Sequence, residues 1–452
     1  DCSDHEVNIK ILLNKVVEQG DMTKKQRDVL LAQMTDEVSA LVLRNNYHQS
    51  QAISMVEKQA GTMIGVHERL INELSQYGRL DKVVEFLPSS NEIEERRLQG
   101  KGLSRPELAV IFAYSKLLLK EQLEGSVVLK NDGFKKELIE YFPLELSNKF
   151  KKVISEHRLG DAIIVNQLVN NMVNRLGPSL PFRMKDEVGA STEDIIKSFK
   201  IACDIYDVNS LWKAIEKLDN QVLPDVQINM LMKVRQLIER TMFWMQHNRS
   251  HVDSINKVSE FKESIGRVSV DIYKHLSVAE KESLDERTAE LQVAGVPEKL
   301  ALKVSGLELE FNCLDVIAVQ SILGQENKDV LPVYFAVNDH LQLNWLNNSI
   351  SQLPRKNYWQ SLARTALRND LHAEIRTLLV TIFRLSEKKS LDFKGRVQCW
   401  CEDNAIEIER YLSLIAAVQA ENTIEIEQLS VISKDLHAIV DKSKAKHKQV
   451  AA

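Results

Sequence analysis

Glycine, proline and cysteine are all scarce in this chain of 452 residues. Glycine occurs 16 times and proline 9 times, and strand-like alternation of apolar and polar residues is almost absent. Since glycine and proline mark the turns between strands, their scarcity favours helices over a β-rich fold. The five cysteines form an odd, sparse set, which fits thiols buried as small hydrophobic groups in a reducing cytoplasm.

The sequence also lacks a long apolar run and a strong charge bias. No uninterrupted hydrophobic stretch approaches the ~20 residues of a membrane helix, so we expect a soluble, cytoplasmic protein with no membrane partner. The net charge of −5 and the pI near 6.2 give no indication of nucleic acid as a partner. Lys442, Lys444, Lys446 and Lys448 predict a frayed, solvated helix end, with nucleic-acid or membrane contact as the alternative.

Motifs for cofactor, metal and nucleophile chemistry are missing. There is no G-x-G-x-x-G, Walker loop, H-E-x-x-H or G-x-S-x-G, and Gly100-Lys101-Gly102 is too short for a phosphate loop and follows no strand. Cys399 and Cys401 have no second cysteine pair at zinc spacing. The sequence therefore predicts no catalytic, cofactor-binding or metal-binding residue in this chain, and no Rossmann unit.

Helical periodicity is what the sequence has in abundance. A first apolar stripe consists of Ile9, Leu12, Leu13 and Val16, and Gly20 supplies a stop signal. Further helices are predicted at roughly 23–45, 47–76, 158–176, 191–205, 224–246, 252–277, 357–386, 405–421 and 424–445.

One predicted helix differs from the others in its pattern. Ser104 and Glu107 have the spacing of a capping box, with Pro106 in the first turn. The helix that follows is apolar nearly all round, so we expect it to be central and covered by other helices.

Few segments interrupt the helical pattern. Residues 333–337 are strand-like, but a short buried helix is at least as plausible because no partner strand is visible. Residues 177–181 form the clearest loop, and the polar stretch 246–254 is expected to separate two helical halves. No repeat of 34 or 40 residues is evident, which disfavours a solenoid. We therefore predict a large, irregular, all-α multi-helix fold.

Two polar patterns allow more than one interpretation. Asn166, Asn170 and Asn174 share one helix face; their amides could bond to neighbouring loops, or the face could dock another domain or subunit. Arg364 and Arg368 lie one turn apart. A solvated or ion-paired surface is the simple interpretation for them, and anion binding is the alternative.

Several blocks of the sequence resemble the large-subunit NAD-specific glutamate dehydrogenases of bacteria. Residues 1–13 start directly on a helical apolar pattern, without initiator Met or signal peptide, and resemble the segment that closes the catalytic domain of that family. Each block is weak alone, but their order and joint presence make the resemblance specific over roughly residues 1–380. The other blocks are 34–38, 42–47, 102–110, 171–177, 344–346, 353–354 and 359–371.

The resemblance implies that regulatory domains and a dehydrogenase core precede this helical portion in a longer polypeptide. The implied reaction is oxidative deamination of L-glutamate by NAD to 2-oxoglutarate, ammonium and NADH. The upstream domain, missing here, would bind NAD and carry the catalytic residues, so this chain alone is expected to be inactive. The implied partners are that upstream catalytic domain and further copies in a homo-oligomer. The implied division is 1–20 for the end of the catalytic domain and an entry helix, with 21–250 and 251–452 as two parts of the helical C-terminal domain.

Ser3 is the one residue for which the resemblance implies contact with substrate. In ordinary glutamate dehydrogenases a serine near the start of a late helix contacts the side-chain carboxylate of the substrate, and Ser3 looks like its counterpart. A hydroxyl at a helix N-terminus favours an anion. Ser3 and Glu6 also have the spacing of a capping box, which needs no substrate.

A stand-alone helical scaffold or adaptor that binds protein partners is the alternative function. It requires that the chain fold stably by itself and that its reading frame start near Asp1. A long upstream reading frame with a glycine-rich βαβ pattern would decide for the enzyme.

Overall fold

The computed structural model describes residues 2–126, 132–248, 258–324, 330–355, 357–386, 391–421 and 423–451. These residues form helices joined by short turns, and none of them belongs to a strand. The predicted all-α fold is therefore confirmed. The chain divides into two compact units, Asp1–Phe199 and Lys200–Ala452.

The first unit is organised around its tenth helix, α10, which packs against α3, α6 and α7. Leu168, Val169, Met172 and Val173 of that helix are completely buried and supply the centre of the core. The helices of this unit, the last of which continues into the second unit, are α1 (Cys2–Glu18), α2 (Lys24–Gln33), α3 (Thr35–Glu57), α4 (Ile64–Gln76), α5 (Ser90–Leu98), α6 (Arg105–Leu123), α7 (Asp132–Tyr141), α8 (Leu144–Lys149), α9 (Lys151–Ser155), α10 (Gly160–Leu176), α11 (Ser179–Val188) and α12 (Thr192–Ile205).

The second unit has two strongly apolar, adjoining helices at its centre, α18 and α19. Helix α18 also packs against α14, α15 and α21, and the long helices α21 and α24 run against each other. The remaining helices of this unit are α13 (Val208–Glu216), α14 (Pro224–His247), α15 (Val258–His275), α16 (Val278–Val293), α17 (Glu298–Ser305), α18 (Leu307–Leu323), α19 (Val330–His340), α20 (Leu343–Gln352), α21 (Tyr358–Leu385), α22 (Phe393–Asp403), α23 (Ala405–Gln419) and α24 (Ile426–Ala451).

Side-chain caps determine where several helices begin. Thr23, Ser89, Ser104 and Ser277 each form a capping box with the residue three positions later. These pairs satisfy backbone N–H groups that the first turn of a helix leaves without partners. The capping box predicted for Ser104 is thus confirmed.

The predicted boundary between helices 23–45 and 47–76 is wrong. The structure has three helices there, α2, α3 and α4, and Asn46 lies inside α3. The first break is at Met34, whose backbone (φ −92°, ψ 1°) departs from helical geometry. The second break covers 58–63, where Gly61 comes close to the backbone of Gly100. The second break thus coincides with a close tertiary contact, and neither break contains a proline or an asparagine.

Helix α6 is covered on one side only, so the prediction that other helices surround it is wrong. Leu108, Ile111 and Leu119 are buried against neighbouring helices, as expected. The opposite stripe, Ala109, Ala113 and Leu117, is exposed to solvent. An apolar sequence all round the helix therefore does not mean that every face is covered within this chain.

Two further predictions concerned residues 333–337 and the lysine run near the C-terminal end of α24. Residues 333–337 lie in α19 and are mostly buried, so the helical interpretation is confirmed. The lysine run at the end of α24 is ion-paired instead of frayed: Lys442 lies 2.6 Å from Glu407 and Lys446 lies 2.7 Å from Asp403. The side chain of Lys448 lies outside the described residues.

The three predicted segments, 1–20, 21–250 and 251–452, stay a prediction. Along the chain, the first compact unit ends at Phe199, inside α12. Helix α14 ends at His247, and most of the polar stretch expected to separate two halves lies outside the described residues. Among the described helices, none has the combination of length and apolar character that crossing a bilayer requires.

Candidate functional site

Helix α1 carries Ser3, the residue predicted to bind substrate. The helix begins at Cys2, which places Ser3 in its first turn; the Ser3 side chain lies outside the described residues. Glu6, its predicted capping partner, extends along the helix to Lys10, with 2.6 Å between Glu6 Oε1 and Lys10 Nζ. The predicted stripe of Ile9, Leu12, Leu13 and Val16 is fully buried and anchors the helix.

His5 is enclosed by aromatic and amide groups from two other helices. Its ring stacks on Tyr141 of α7 at 4.3 Å between centroids, with 13° between planes. Nδ2 of Asn45 in α3 lies 3.3 Å from His5 Nε2, and since an amide nitrogen donates, Nε2 accepts. The imidazole proton then sits on Nδ1, a buried atom with no hydrogen-bond partner among the described residues. Burial lowers the pKa of His5, which favours the neutral ring.

Asn8 extends this arrangement one turn along α1. Its amide donates to the Tyr141 hydroxyl at 2.9 Å, and its backbone carbonyl oxygen lies 3.2 Å from Nε2 of His157. Burial raises the pKa of Tyr141 to about 12 and lowers the pKa of His157, so both are neutral near pH 7. We call His5, Asn8, Asn45, Tyr141 and His157 the α1 seat. Because its groups are neutral and hydrogen-bonded, the α1 seat holds the helix in place and is poorly suited to acid–base catalysis.

Two further contacts fasten α1 and α3 to the same part of the unit. Arg175 of α10 donates to Gln51 Oε1 at 3.1 Å and lies 3.1 Å from Nε2 of His48, both residues being on α3. Lys15 of α1 makes an ion pair with Glu156 at 3.1 Å. Helices α1 and α3 are therefore held by α7, α9, α10 and the turns beside them.

The asparagine face of α10 is used mainly within the helix. Asn170 donates to Asn166 Oδ1 at 3.3 Å, so these two amides bond to each other. Asn174 is buried, which makes it unavailable for docking another domain or subunit without rearrangement.

Two lysines in the apolar helix α6 were not identified from the sequence. Lys116 is buried, has no hydrogen-bond or ion-pair partner among the described residues, and burial lowers its pKa to about 8. Burial also lowers the pKa of Lys120, one turn later. A lysine within an otherwise apolar run was the available signal.

A buried carboxylate, that of Asp315 in α18, is the centre of a polar cluster in the second unit. It accepts hydrogen bonds from Trp244 Nε1 at 2.8 Å, His372 Nδ1 at 2.6 Å and Arg376 Nη1 at 2.5 Å. Burial by itself would raise the pKa of Asp315, but the charges of His372 and Arg376 outweigh it and lower the pKa to about 2. We call these four residues the Asp315 network.

The chemistry of the Asp315 network points to structure. A carboxylate that fixes an imidazole by its Nδ1 is a common arrangement for proton transfer. Here, however, His372 Nε2 is buried without a hydrogen-bond partner among the described residues, and Phe311 packs edge-on against the ring at 5.2 Å. The network ties α14, α18 and α21 together. The sequence feature that could have indicated this network is Asp315 itself, an aspartate within the apolar run of α18.

Arg364 and Arg368 lie against other parts of the chain instead of forming a solvated surface. Arg364 donates to the backbone carbonyls of Leu353, at 2.7 Å, and of Ser351, and so caps the end of α20. Arg368 is buried, and its guanidinium lies over the Phe243 ring at 5.2 Å. Neither arrangement requires an anion.

The described residues show no arrangement suited to a metal or to NAD. No group of three or more His, Cys, Asp or Glu side chains among them is placed to hold a metal ion. Between Cys399 and Cys401, Trp400 donates to Ser443 Oγ at 3.0 Å, and burial raises the pKa of Cys401 to about 11. In the part of the chain that the structure describes, no strand leads through a glycine turn into a helix, so these residues do not fit the pyrophosphate of NAD.

Comparison with known families accounts for most of the chain. Residues 1–56 match the family model described as bacterial NAD-glutamate dehydrogenase, catalytic domain. Residues 100–438 match the model described as glutamate dehydrogenase, C-terminal. The similarity thus continues past residue 380, where the resemblance found in the sequence ended.

Three curated relatives are each named NAD-specific glutamate dehydrogenase. The protein from Pseudomonas aeruginosa is 36% identical over 444 residues, which is 98% of this chain and 27% of the relative. The proteins from Halomonas elongata and Mycobacterium tuberculosis are 34% and 30% identical, over 91% and 96% of this chain and 25% and 27% of their own lengths. The chain spans about a quarter of the length of these relatives. It belongs to the family of NAD-specific glutamate dehydrogenases, in the region that the C-terminal model describes.

Proposed function

We propose that this chain is the C-terminal helical part of an NAD-dependent glutamate dehydrogenase, which oxidatively deaminates L-glutamate to 2-oxoglutarate and ammonium. Its relatives carry that enzyme's name and are more than three times as long. Because the described residues do not fit NAD, the dinucleotide and the catalytic residues belong to another part of the parent polypeptide. The chain by itself is then inactive, and its task is to brace the catalytic domain.

The α1 seat is the observation that carries this proposal. Helices α1 and α3 fall in the segment that matches the catalytic-domain model, whereas α7, α9 and α10 fall in the segment that matches the C-terminal model. The first segment and the beginning of the second, as far as Phe199, nevertheless share one compact unit. A displacement of the α1 seat would therefore be passed directly to residues of the catalytic-domain segment.

Changing Tyr141 in the full-length enzyme tests the bracing role. Tyr141→Phe keeps the stack on His5 but removes the hydroxyl that accepts from Asn8, and we expect unit stability to fall by about 1 kcal/mol. The kcat for glutamate should fall roughly tenfold, since small misplacements of substrate-binding groups have large effects on rate. Tyr141→Ala, which also removes the stack, should have the larger effect on both quantities. Steady-state kinetics and urea unfolding measure them.

Tyr273 provides the matched control for these variants. It is half-exposed, belongs to the second unit and hydrogen-bonds to Asp285 at 3.3 Å. Tyr273→Phe should leave kcat unchanged. If Tyr141→Phe is folded and has the kcat of the unaltered enzyme, the α1 seat does not brace the catalytic domain.

For Ser3 we propose the substrate role that the resemblance implies. Ser3→Ala in the full-length enzyme should raise the apparent KM for glutamate much more than the KM for NAD, because only the carboxylate contact is lost. Ser430→Ala, on the exposed side of α24, is the control. Equal small effects on both KM values would assign Ser3 to helix capping instead.

The partner that this function requires is the catalytic domain of the same polypeptide. Assembly into a homo-oligomer and a cytoplasmic location are part of the same proposal. Light scattering of the full-length enzyme tests the first, and a single-subunit mass would rule it out.

A further inference from the structure

The segment between α4 and α5 exposes large apolar side chains to solvent. Val83, Val84 and Phe86 are 84%, 66% and 88% exposed. Single exposed apolar residues are ordinary on protein surfaces, but a cluster of them indicates a contact site. We call residues 79–87 the apolar loop.

The apolar loop has a defined conformation rather than a loose one. The Asp81 carboxylate accepts hydrogen bonds from the backbone N–H groups of Val83, at 2.9 Å, and Val84, at 3.2 Å. Glu85 accepts from the Tyr114 hydroxyl of α6 at 2.6 Å. Leu80 and Leu87, near the two ends of the loop, are buried. The polar side chains and the loop ends are thus fixed, while the three large apolar side chains between them point into solvent.

Both the backbone and the side chain of Phe86 are in an unfavourable arrangement. Its φ of 52° lies in the left-handed region, which is unfavourable for a residue other than glycine. Its exposed side chain also lacks the stabilisation that burial of a large apolar group provides. A covering surface would supply that stabilisation.

The exposed stripe of α6 continues the apolar surface. Tyr114 contacts the loop through Glu85, and Glu121, seven residues further along α6, is ion-paired with Arg79 of the loop. Leu117, which is 52% exposed, lies on the helix surface between these two attachment points. Each charged side chain of the loop has a partner within the chain: Arg79 pairs with Glu121, and Asp81, Lys82 and Glu85 are held by hydrogen bonds. The side chains left exposed between them are apolar.

The size and position of this surface favour one occupant. Residues 57–99, which include the apolar loop, lie between the segments that match the catalytic-domain and C-terminal models, and they share a compact unit with residues 1–56. A patch of a few side chains covers on the order of a few hundred Å², whereas a stable contact between separate chains needs about 800 Å² per partner. A small patch is sufficient when both surfaces belong to one polypeptide, because the effective concentration is then high.

We propose that the apolar loop and Leu117 form a docking surface for an apolar patch on the catalytic domain of the same polypeptide. This inference rests on the proposed function, which supplies that domain. It adds the place of contact, on a part of the chain that neither family model covers apart from α6.

Thiol labelling in two forms of the protein tests the docking surface. The test variant is Val84→Cys. The control is Val293→Cys, because Val293 lies in the second unit and is 90% exposed. Each variant is made both in this chain alone and in the full-length enzyme. Labelling by a maleimide is followed by mass spectrometry of the modified peptide. In the chain alone, both positions should react at similar rates. In the full-length enzyme, labelling at position 84 should slow at least tenfold while that at 293 is unchanged.

Three outcomes would overturn the docking surface. One is equal labelling at position 84 in both proteins. Another is protection in the chain alone at every concentration, which would mean that the chain covers its own loop. A third is protection that grows with the concentration of the chain alone, which would assign the surface to a second copy. An active full-length enzyme in which position 84 labels freely refutes only the docking surface, whereas absence of glutamate turnover refutes the proposed function.

Discussion

A single carboxylate, that of Asp315, joins three helices of the second unit. The side chains that donate to it come from α14 and α21, and Arg376 also places its guanidinium over the Trp244 ring at 5.8 Å. A buried charge is tolerated only when opposite charge and hydrogen bonds compensate its lost hydration. The network is therefore sensitive to the loss of any one member.

Asp315→Asn keeps the shape of the side chain but removes its charge. Removing one partner of a buried ion pair costs roughly 3–5 kcal/mol, so we expect the free energy of unfolding of the second unit to fall by about 3 kcal/mol in urea. Asp271→Asn, which breaks an exposed pair with Lys274, should change it little. Similar small effects of both substitutions would contradict the assignment.

The pH dependence of stability follows from the same carboxylate. The pKa of Asp315 is about 2 in the folded chain, below the ordinary value of about 3.9 that it takes when unfolded. Its contribution is therefore present above about pH 4 and is lost as the pH falls towards 2. Urea midpoints measured across that range should fall more steeply in the unaltered chain than in Asp315→Asn.

Single-residue roles were the least predictable from the sequence. The Asp315 network joins residues 57 and 71 positions apart, and no local pattern announces such pairing. Arg364 and Arg368 were recognised as neighbours on one helix, but the carbonyls and the ring that they contact come from other parts of the chain. The role of Ser3 stays a prediction.

At the scale of elements, a close crossing of two backbone segments shapes the first unit. A methyl group at Gly102 would overlap the backbone and Cβ of Ala60, and one at Gly61 would lie 2.5 Å from the carbonyl oxygen of Gly100. The turn that ends α3 therefore packs directly on the turn that precedes α6. Only glycine allows this approach.

Gly102→Ala should destabilise the first unit by about 3 kcal/mol, because the added methyl group must push apart two backbone segments. Gly266→Ala is the matched control: this glycine is exposed on α15 and has open space around it. There the substitution should stabilise the helix by about 0.5–1 kcal/mol. Thermal and urea unfolding give both values; a tolerated Gly102→Ala would show that the crossing is loose.

Helices with strong periodicity and clear caps were predictable, whereas breaks caused by packing were not. The capping signal at Ser104 located the start of α6 correctly. The break between α3 and α4 lies at the contact between Gly61 and Gly100, which are distant in sequence. The exposed stripe of α6 also escaped prediction, since periodicity shows which faces are apolar but not which are covered.

At the scale of the whole molecule, the proposed division of labour predicts that this chain alone is inactive. Purified by itself, it should form no NADH from glutamate and NAD, because the described residues do not fit the dinucleotide. Circular dichroism and cooperative thermal unfolding of the same sample would establish that inactivity is not misfolding. Appreciable turnover would overturn the proposal.

The all-α class and the family were both accessible from the sequence. Composition and helical periodicity predicted the class, and the family followed from ordered blocks of resemblance, now supported by matches over 1–56 and 100–438. The two compact units were not predicted, since their boundary lies inside the continuous helix α12. A boundary of this kind depends on long-range contacts and leaves no glycine- or proline-rich linker to read.

The α1 seat has a practical consequence for anyone who shortens or recombines this protein. The catalytic-domain match stops at residue 56, yet Tyr141 stacks on His5 and hydrogen-bonds to Asn8, and His157 hydrogen-bonds to the Asn8 carbonyl. Truncation at residue 56 would expose apolar surface on both pieces, and we expect both to aggregate. Chimeras made from two relatives should instead inherit residues 1–199 from a single parent.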